Sequence, residues 1–247
     1  MQNSKQETNK NSYMLPISII LAGIIISLAL ILSSHNKTPN TQNTNNKNQY
    51  STQNSPSSTT QGSNTVTVSI GTNPIEGNIN KAKVGIIEFG DFQCPFCKQF
   101  YNSTQSEIIS KYVNTGEAIF AFRDYPLESV HPLAMNMAIE GRCFGEQGKF
   151  WQFDSTMYTT NQDTNTPSVV LGYAKDLGLN INKYQSCVAS DQYQTQIQND
   201  INAGNTMGIQ GTPTIVIGKL VNGKVVGKAT LGAYSFSYFE PIINSYL

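Results

Sequence analysis

Val84-Gly85-Ile86-Ile87-Glu88-Phe89-Gly90-Asp91-Phe92-Gln93-Cys94-Pro95-Phe96-Cys97 decides the reading of this chain. Its first part, with Lys83 before it, is rich in Val and Ile up to Phe89 and predicts a buried central strand. Lys98 to Val113 predicts the helix that follows. The two thiols therefore fall at a strand-to-helix junction. Unsatisfied backbone N–H groups and the positive end of the helix dipole favour a thiolate there over a thiol. That predicts a depressed pKa and nucleophilic character for Cys94, with Cys97 placed to attack any mixed disulfide it forms. Taken alone, C-x-x-C suits three roles: a redox pair, a structural disulfide, or half of a zinc site.

Working outward, Ala118 to Arg123 predicts a second strand, parallel to the first through the helix crossover. From Pro132 to about Gln198 apolar residues recur at helical spacing, and Pro167, Gly178 and Gly208 punctuate the stretch into several helices. Strand character returns at Pro213 to Ile217 and again at Val225 to Leu231, with the hairpin signal Asn222-Gly223 between them. Thr65 to Ile70 reads as a short leading strand, and Tyr234 to Tyr246 as a closing amphipathic helix that Pro241 interrupts. The order β-α-β, helical block, β-β-α predicts an α/β fold, a mixed central sheet flanked by helices, with a helical insertion at about 131–207.

The N-terminal part reads differently. Leu15 to Leu32 is apolar apart from Ser18 and Ser27, and a helix of this length just spans a bilayer core. The residues after Leu32 lack an Ala-x-Ala cleavage pattern and a nearby cysteine, so an uncleaved anchor is expected rather than a secretory signal or a lipid anchor. The expected layout is a tail at 1–14, a transmembrane anchor at 15–32, a tether rich in Asn, Gln, Ser and Thr at 33–65, and a folded domain at 66–247. Lys5 and Lys10 before the span are matched by Lys37 and Lys47 after it, so charge does not orient it. A Cys-rich domain on an external tether fits an oxidising compartment, which predicts an extracytoplasmic location. From Val66 onward 12 Lys and Arg face 15 Asp and Glu, which leaves no basic field for nucleic acid.

Glu88 to Cys97, together with Gly211-Thr212-Pro213-Thr214 near the end, resembles the DsbA-like branch of the thioredoxin superfamily. His131-Pro132-Leu133-Ala134 and Gly141 to Trp151 are similar to that family's inserted helical domain, and the likeness covers roughly Lys81 to Leu247. The resemblance implies a thioredoxin fold with Cys94 as the exposed nucleophile and Cys97 as the buried resolving thiol. It implies that Thr212-Pro213 is a cis-proline loop lying against the pair and offering its backbone to substrate. It further implies that Glu88 is a buried acid relaying a proton to or from Cys97. Phe96 stands where the most oxidising family members have histidine, so a milder oxidant is expected.

Phe92 and Phe96 flank the thiols and are expected to form an apolar rim for unfolded peptide. Cys143 and Cys187 are read as a structural disulfide. A second redox relay and a four-cysteine zinc site are the alternatives, weakened because neither thiol lies in a C-x-x-C and only one close pair exists. No metal is expected, and no cofactor beyond the Cys94–Cys97 disulfide. His131-Pro132 reads as a helix start, and Trp151 with Phe150 and Phe153 as core. The expected function is a membrane-anchored thiol:disulfide oxidoreductase that forms disulfides in reduced exported proteins and is recycled by a membrane redox partner. The same residues can run as an isomerase or reductase, though no dimerisation segment is evident, so a monomer is expected. The alternative of another class is a non-catalytic extracytoplasmic binding module built on a permanent disulfide.

Overall fold

The computed structural model describes residues 65–190 and 192–247. The expected tail and anchor, and all but the last residue of the expected tether, lie outside them. Among the described residues no helix is long and apolar enough to cross a membrane.

A six-stranded sheet forms the centre, in the order β1-β6-β5-β3-β4-β2. Its strands are β1 (Val66–Ser69), β2 (Ile75–Glu76), β3 (Val84–Gly90), β4 (Ala118–Asp124), β5 (Thr214–Val221) and β6 (Lys224–Leu231). β3 is buried along its whole length, as its near-continuous apolar run requires of a strand covered on both faces. It pairs in parallel with β4 and antiparallel with β5. The antiparallel register sets Thr214 opposite Phe89. The residues just before β5 are thereby carried to the end of β3, where the thiols lie. Asn222 and Gly223, with φ of 50° and 71°, make the turn between β5 and β6, the two positive values that a type I′ hairpin needs.

The helix after β3 starts as α1 (Pro95–Phe100) and continues without a break through π-helical Tyr101–Gln105, a short α turn Ser106–Ile108 and π-helical Ile109–Val113. Five helices then stand between β4 and β5: α2 (Ala134–Gly145), α3 (Phe150–Thr159), α4 (Pro167–Asp176), α5 (Ile181–Val188) and α6 (Gln194–Thr206). The closing helix α7 (Phe236–Asn244) contains Pro241. The expected interruption does not occur, and the helix runs through the proline, anchored by the buried Phe239 and Ile243.

Alternation along the strands separates two cores. Val84, Ile86, Phe120, Ile215 and Ile217 pack against α1 and α7 through Phe100, Ile108 and Phe239. Ile87, Phe89, Ile119, Ala121 and Val216 fill the opposite face. A third core, inside the helical block, includes Phe92, Phe144, Phe150, Phe153 and Met157, and both Cys94 and Cys97 border it. Cys143 on α2 and Cys187 on α5 are joined by a disulfide across 44 residues. Closing a loop of that size contributes about 4 kcal/mol in the chain-entropy account.

Candidate active site

Cys94 caps α1, its backbone still extended at φ −72° and ψ 121°, and Pro95 occupies the first helical turn. Proline suits that position because its missing N–H would have had no partner there. Polar side chains hold the loop from Gly90 to Cys94 from below. Asp91 accepts from the Gln93 and Leu127 amides at 2.8 and 2.9 Å, and its carboxylate lies 2.7 Å from His131 Nδ1. Gln162 donates from Nε2 to the carbonyls of Phe92 and Cys94 at 2.6 and 3.3 Å. Neither Gln162 nor the His131–Asp91 contact could be found from sequence, since each joins residues 40 or more positions apart.

The two thiols sit in different surroundings. Cys97 is fully buried as expected, but Cys94, expected to be exposed, is only 3% exposed because the Thr212-Pro213 loop packs over it. The Cys94 Sγ lies 3.3 Å from the Thr212 carbonyl. The hydrogen bond from the Cys97 thiol lowers the Cys94 pKa most; burial opposes it, and Thr212 and the amides of Cys97 and Phe96 lower it further, to about 6. Burial pushes the Cys97 thiol well above its ordinary range, and its hydrogen bond to Cys94 and the nearby Glu88 add to that. At neutral pH the pair therefore holds one thiolate and one thiol.

Thr212-Pro213 is a cis peptide bond, and both residues are buried beside the dithiol. Glu88 points to the α1 face of the sheet, as the alternation from Val84 and Ile86 dictates. It has no exposure, and neither carboxylate oxygen has a hydrogen-bond partner. Burial, and secondarily the charge of Asp154, raises its pKa well above the carboxylate range, while the Cys97 thiol pulls the other way. Gly90 makes room for this arrangement: a Cβ there would meet Phe122 and come within 3.1 Å of Glu88 Oε1.

The expected rim needs one correction. Phe96 is 59% exposed beside the thiols, but Phe92 is 1% exposed and cannot touch a docked peptide. It turns inward because it completes an aromatic cluster, stacked on Phe122 at 4.8 Å between centroids and edge-on to Phe153 at 5.0 Å.

A dithiol at the head of a helix, a cis-proline loop against it and a mixed sheet interrupted by a helical block define a thioredoxin-fold protein of the DsbA type. The chain belongs to the thioredoxin family: the family model described as Thioredoxin matches residues 70–233. Two solved structures share the fold. BdbD from Bacillus subtilis in its oxidised form has a TM-score of 0.64 at 21% identity, over 74% of this chain and 97% of that one. The α-DsbA1 of Wolbachia pipientis has a TM-score of 0.63 at 21% identity, over 71% and 91%. Among curated proteins, disulfide bond formation protein D of Bacillus subtilis is 27% identical over 62% of this chain and 69% of its own length. The Na(+)/H(+) antiporter NhaA 1 of Salinispora arenicola is 30% identical over 67% of this chain. This chain spans only 23% of that antiporter's length, so the likeness is to one portion of it.

Proposed function

We propose that this protein is a thiol:disulfide oxidoreductase that forms disulfides in exported proteins through Cys94 and Cys97. The observation that carries the reading is the placement of the pair: Cys94 caps α1 with its Sγ 3.3 Å from the Thr212 carbonyl of the cis-proline loop, and Cys97 is fully buried behind it. In the oxidising direction a substrate thiolate attacks Cys94 Sγ, the Cys94–Cys97 bond breaks, and Cys97 leaves and takes a proton from Glu88. A second substrate thiolate then attacks the substrate sulfur of the mixed disulfide and expels Cys94 as a thiolate. Its low pKa makes it a good leaving group. The two electrons end on the dithiol, which a membrane redox partner must reoxidise.

Thr212-Pro213 offers backbone next to the reacting sulfur for strand-like pairing with an extended substrate. Phe96 adds an exposed apolar contact suited to unfolded chains. The apolar run at 15–32 supports a membrane anchor, and the Cys143–Cys187 disulfide fits a domain held outside the cytoplasm. The same site can work in reverse on wrongly paired disulfides.

Alkylation of the reduced protein tests the proposal. Its rate should be half-maximal near pH 6, where an ordinary thiol titrates at about 8.5. Cys97→Ser should accumulate mixed disulfides with exported proteins in cells. A midpoint above pH 8 with no trapped clients returns the pair to a structural role.

Phe96 carries no charge to stabilise the Cys94 thiolate further. The reduction potential against glutathione should therefore fall between the roughly −270 mV of thioredoxin and the roughly −120 mV of DsbA. A value at or above the DsbA figure overturns the expectation of a milder oxidant.

A further inference from the structure

A cavity of about 470 Å³ between the helix after β3 and α3 collects acidic and aromatic groups that the thiol chemistry does not use. Asp154 of α3 and Gln105 line it, 1% and 4% exposed. Gln105 Nε2 donates to Asp154 Oδ2 at 3.2 Å. That leaves Asp154 Oδ1 and Gln105 Oε1 without a donor among the described residues. Two buried acceptors left unpaired are costly unless something brings N–H groups to them. The half-buried Glu76 of β2 adds a second carboxylate to the lining. Tyr101 and Trp151 add aromatic walls, and Trp151 is held by its Nε1 donating to the Ile75 carbonyl at 3.3 Å. The exposed Asn102 stands on the solvent side. None of the described lining residues is basic.

We infer that this cavity binds a small organic cation carrying N–H donors, an alkylammonium or alkylguanidinium compound. The two carboxylates attract its charge, the unpaired acceptors take its N–H groups, and the aromatic faces of Trp151 and Tyr101 attract a cation as well. The volume falls within the range of about 300–1,000 Å³ for small-molecule sites. A bare metal ion fits less well, since among the described residues no three His, Cys, Asp or Glu are grouped to hold one. Burial drives the Asp154 carboxyl up to about 8, with Gln105 pulling it down and Glu76 adding to the rise. Without a cation, Asp154 therefore keeps its proton at pH 7 and avoids being a buried unpaired anion. The titratable groups around it are Glu76 on β2, Glu88 on β3, Tyr101 on the helix after β3 and Tyr158 on its own helix. None of them is cationic, so the positive charge that displaces the proton comes from the ligand. No bond is made or broken, and the binding requires nothing of Cys94 or Cys97.

Trp151 is the single tryptophan of the chain, so its fluorescence reports on the site. Titrating the full chain with n-butylguanidinium should change that fluorescence saturably, while n-butanol and butyrate at the same concentrations should not. Affinity should rise about tenfold per pH unit from pH 6 and level off above the Asp154 titration near pH 8. Calorimetry at pH 7 should show close to one proton released per cation bound, from the same titration. Asp154→Asn should weaken binding at pH 8 by about tenfold or more, the share of a hydrogen bond to a charged group, and lose the pH dependence. Gln105→Leu should weaken it by about threefold or more, the share of a neutral acceptor. Trp151 also borders a neighbouring cavity lined by Arg142, so these two variants assign the ligand to the cavity of Asp154. The wild-type pH profile and proton release decide the matter even if a variant fails to fold. No binding by fluorescence and calorimetry together overturns the inference. So does butanol or butyrate binding as well as the cation, an affinity flat from pH 6 to 8, or a folded Asp154→Asn that binds like wild type.

Discussion

Arg142→Ala is expected to destabilise the fold by about 3–5 kcal/mol, the range for removing one partner of a buried ion pair. Arg142 on α2 is 4% exposed, and its guanidinium reaches three elements at once. It donates to Asp124 at the end of β4 at 2.6 Å, to Asp200 on α6 at 2.8 Å, and to Asn73 Oδ1, before β2, at 2.6 Å. Arg123 holds the other oxygen of Asp200 at 2.8 Å and the Ser69 carbonyl at 3.0 Å. Two arginines thus neutralise two aspartates where helical insertion and sheet meet. Without Arg142 the site keeps a net negative charge that water cannot reach.

The deficit should also depend on pH. Burial raises the Asp124 pKa to about 6 even though Arg142 lowers it. A folded pKa above the unfolded value gives stability that is present at low pH and lost as pH rises through the folded value. Removing Arg142 raises the folded value further and extends that loss upward. Thermal melts of the variant should therefore fall short of wild type by roughly 10 °C at pH 7.5 and by less at pH 5. A shift under 2 °C at both pH values would mean that the network is not holding the insertion to the sheet.

What could be read in advance follows from how far each contact reaches along the chain. The strand, the thiols and the helix start lie within fourteen consecutive residues, and local rules are enough to place them. The Asn222-Gly223 hairpin is local in the same way. β2 has two residues, too few for any periodicity to mark it. The ion-pair network is invisible because Arg142 meets Asp200 across 58 positions and Asn73 across 69. Asp154 did leave a trace. It lies four residues after Phe150 and three before Met157, on the apolar face of α3, where a carboxylate needs a partner, and Gln105 Nε2 supplies it. Phe92 was misplaced for the opposite reason. Adjacency to a thiol in sequence says nothing about which way a loop residue turns, and the aromatic pocket made by Phe122, Phe153 and Tyr158 decided it.

Glu88→Gln should slow the step in which Cys97 leaves or attacks by about 100-fold or more, the range for a lost general acid–base. Cys97 is fully buried and its pKa is driven far up. Its thiolate is therefore a poor leaving group unless a proton arrives with bond cleavage, and its thiol is a poor nucleophile unless a base removes one. Glu88 is the acid whose charge reaches Cys97, and glutamine can neither give nor take the proton. The alkylation midpoint of Cys94 should stay near 6, because the hydrogen bond from Cys97, with Thr212 and the helix amides, sets it against burial. Stability should move against activity. The folded pKa of Glu88 lies well above its ordinary value of 4.5, so wild type loses stability as pH rises from about that value toward the folded one. Glu88→Gln has no such loss, and should match wild type near pH 4 and exceed it at pH 8. Urea unfolding of the oxidised proteins at the two pH values would read this directly. A variant that exchanges at the wild-type rate, or one no more stable than wild type at pH 8, would remove Glu88 from the mechanism.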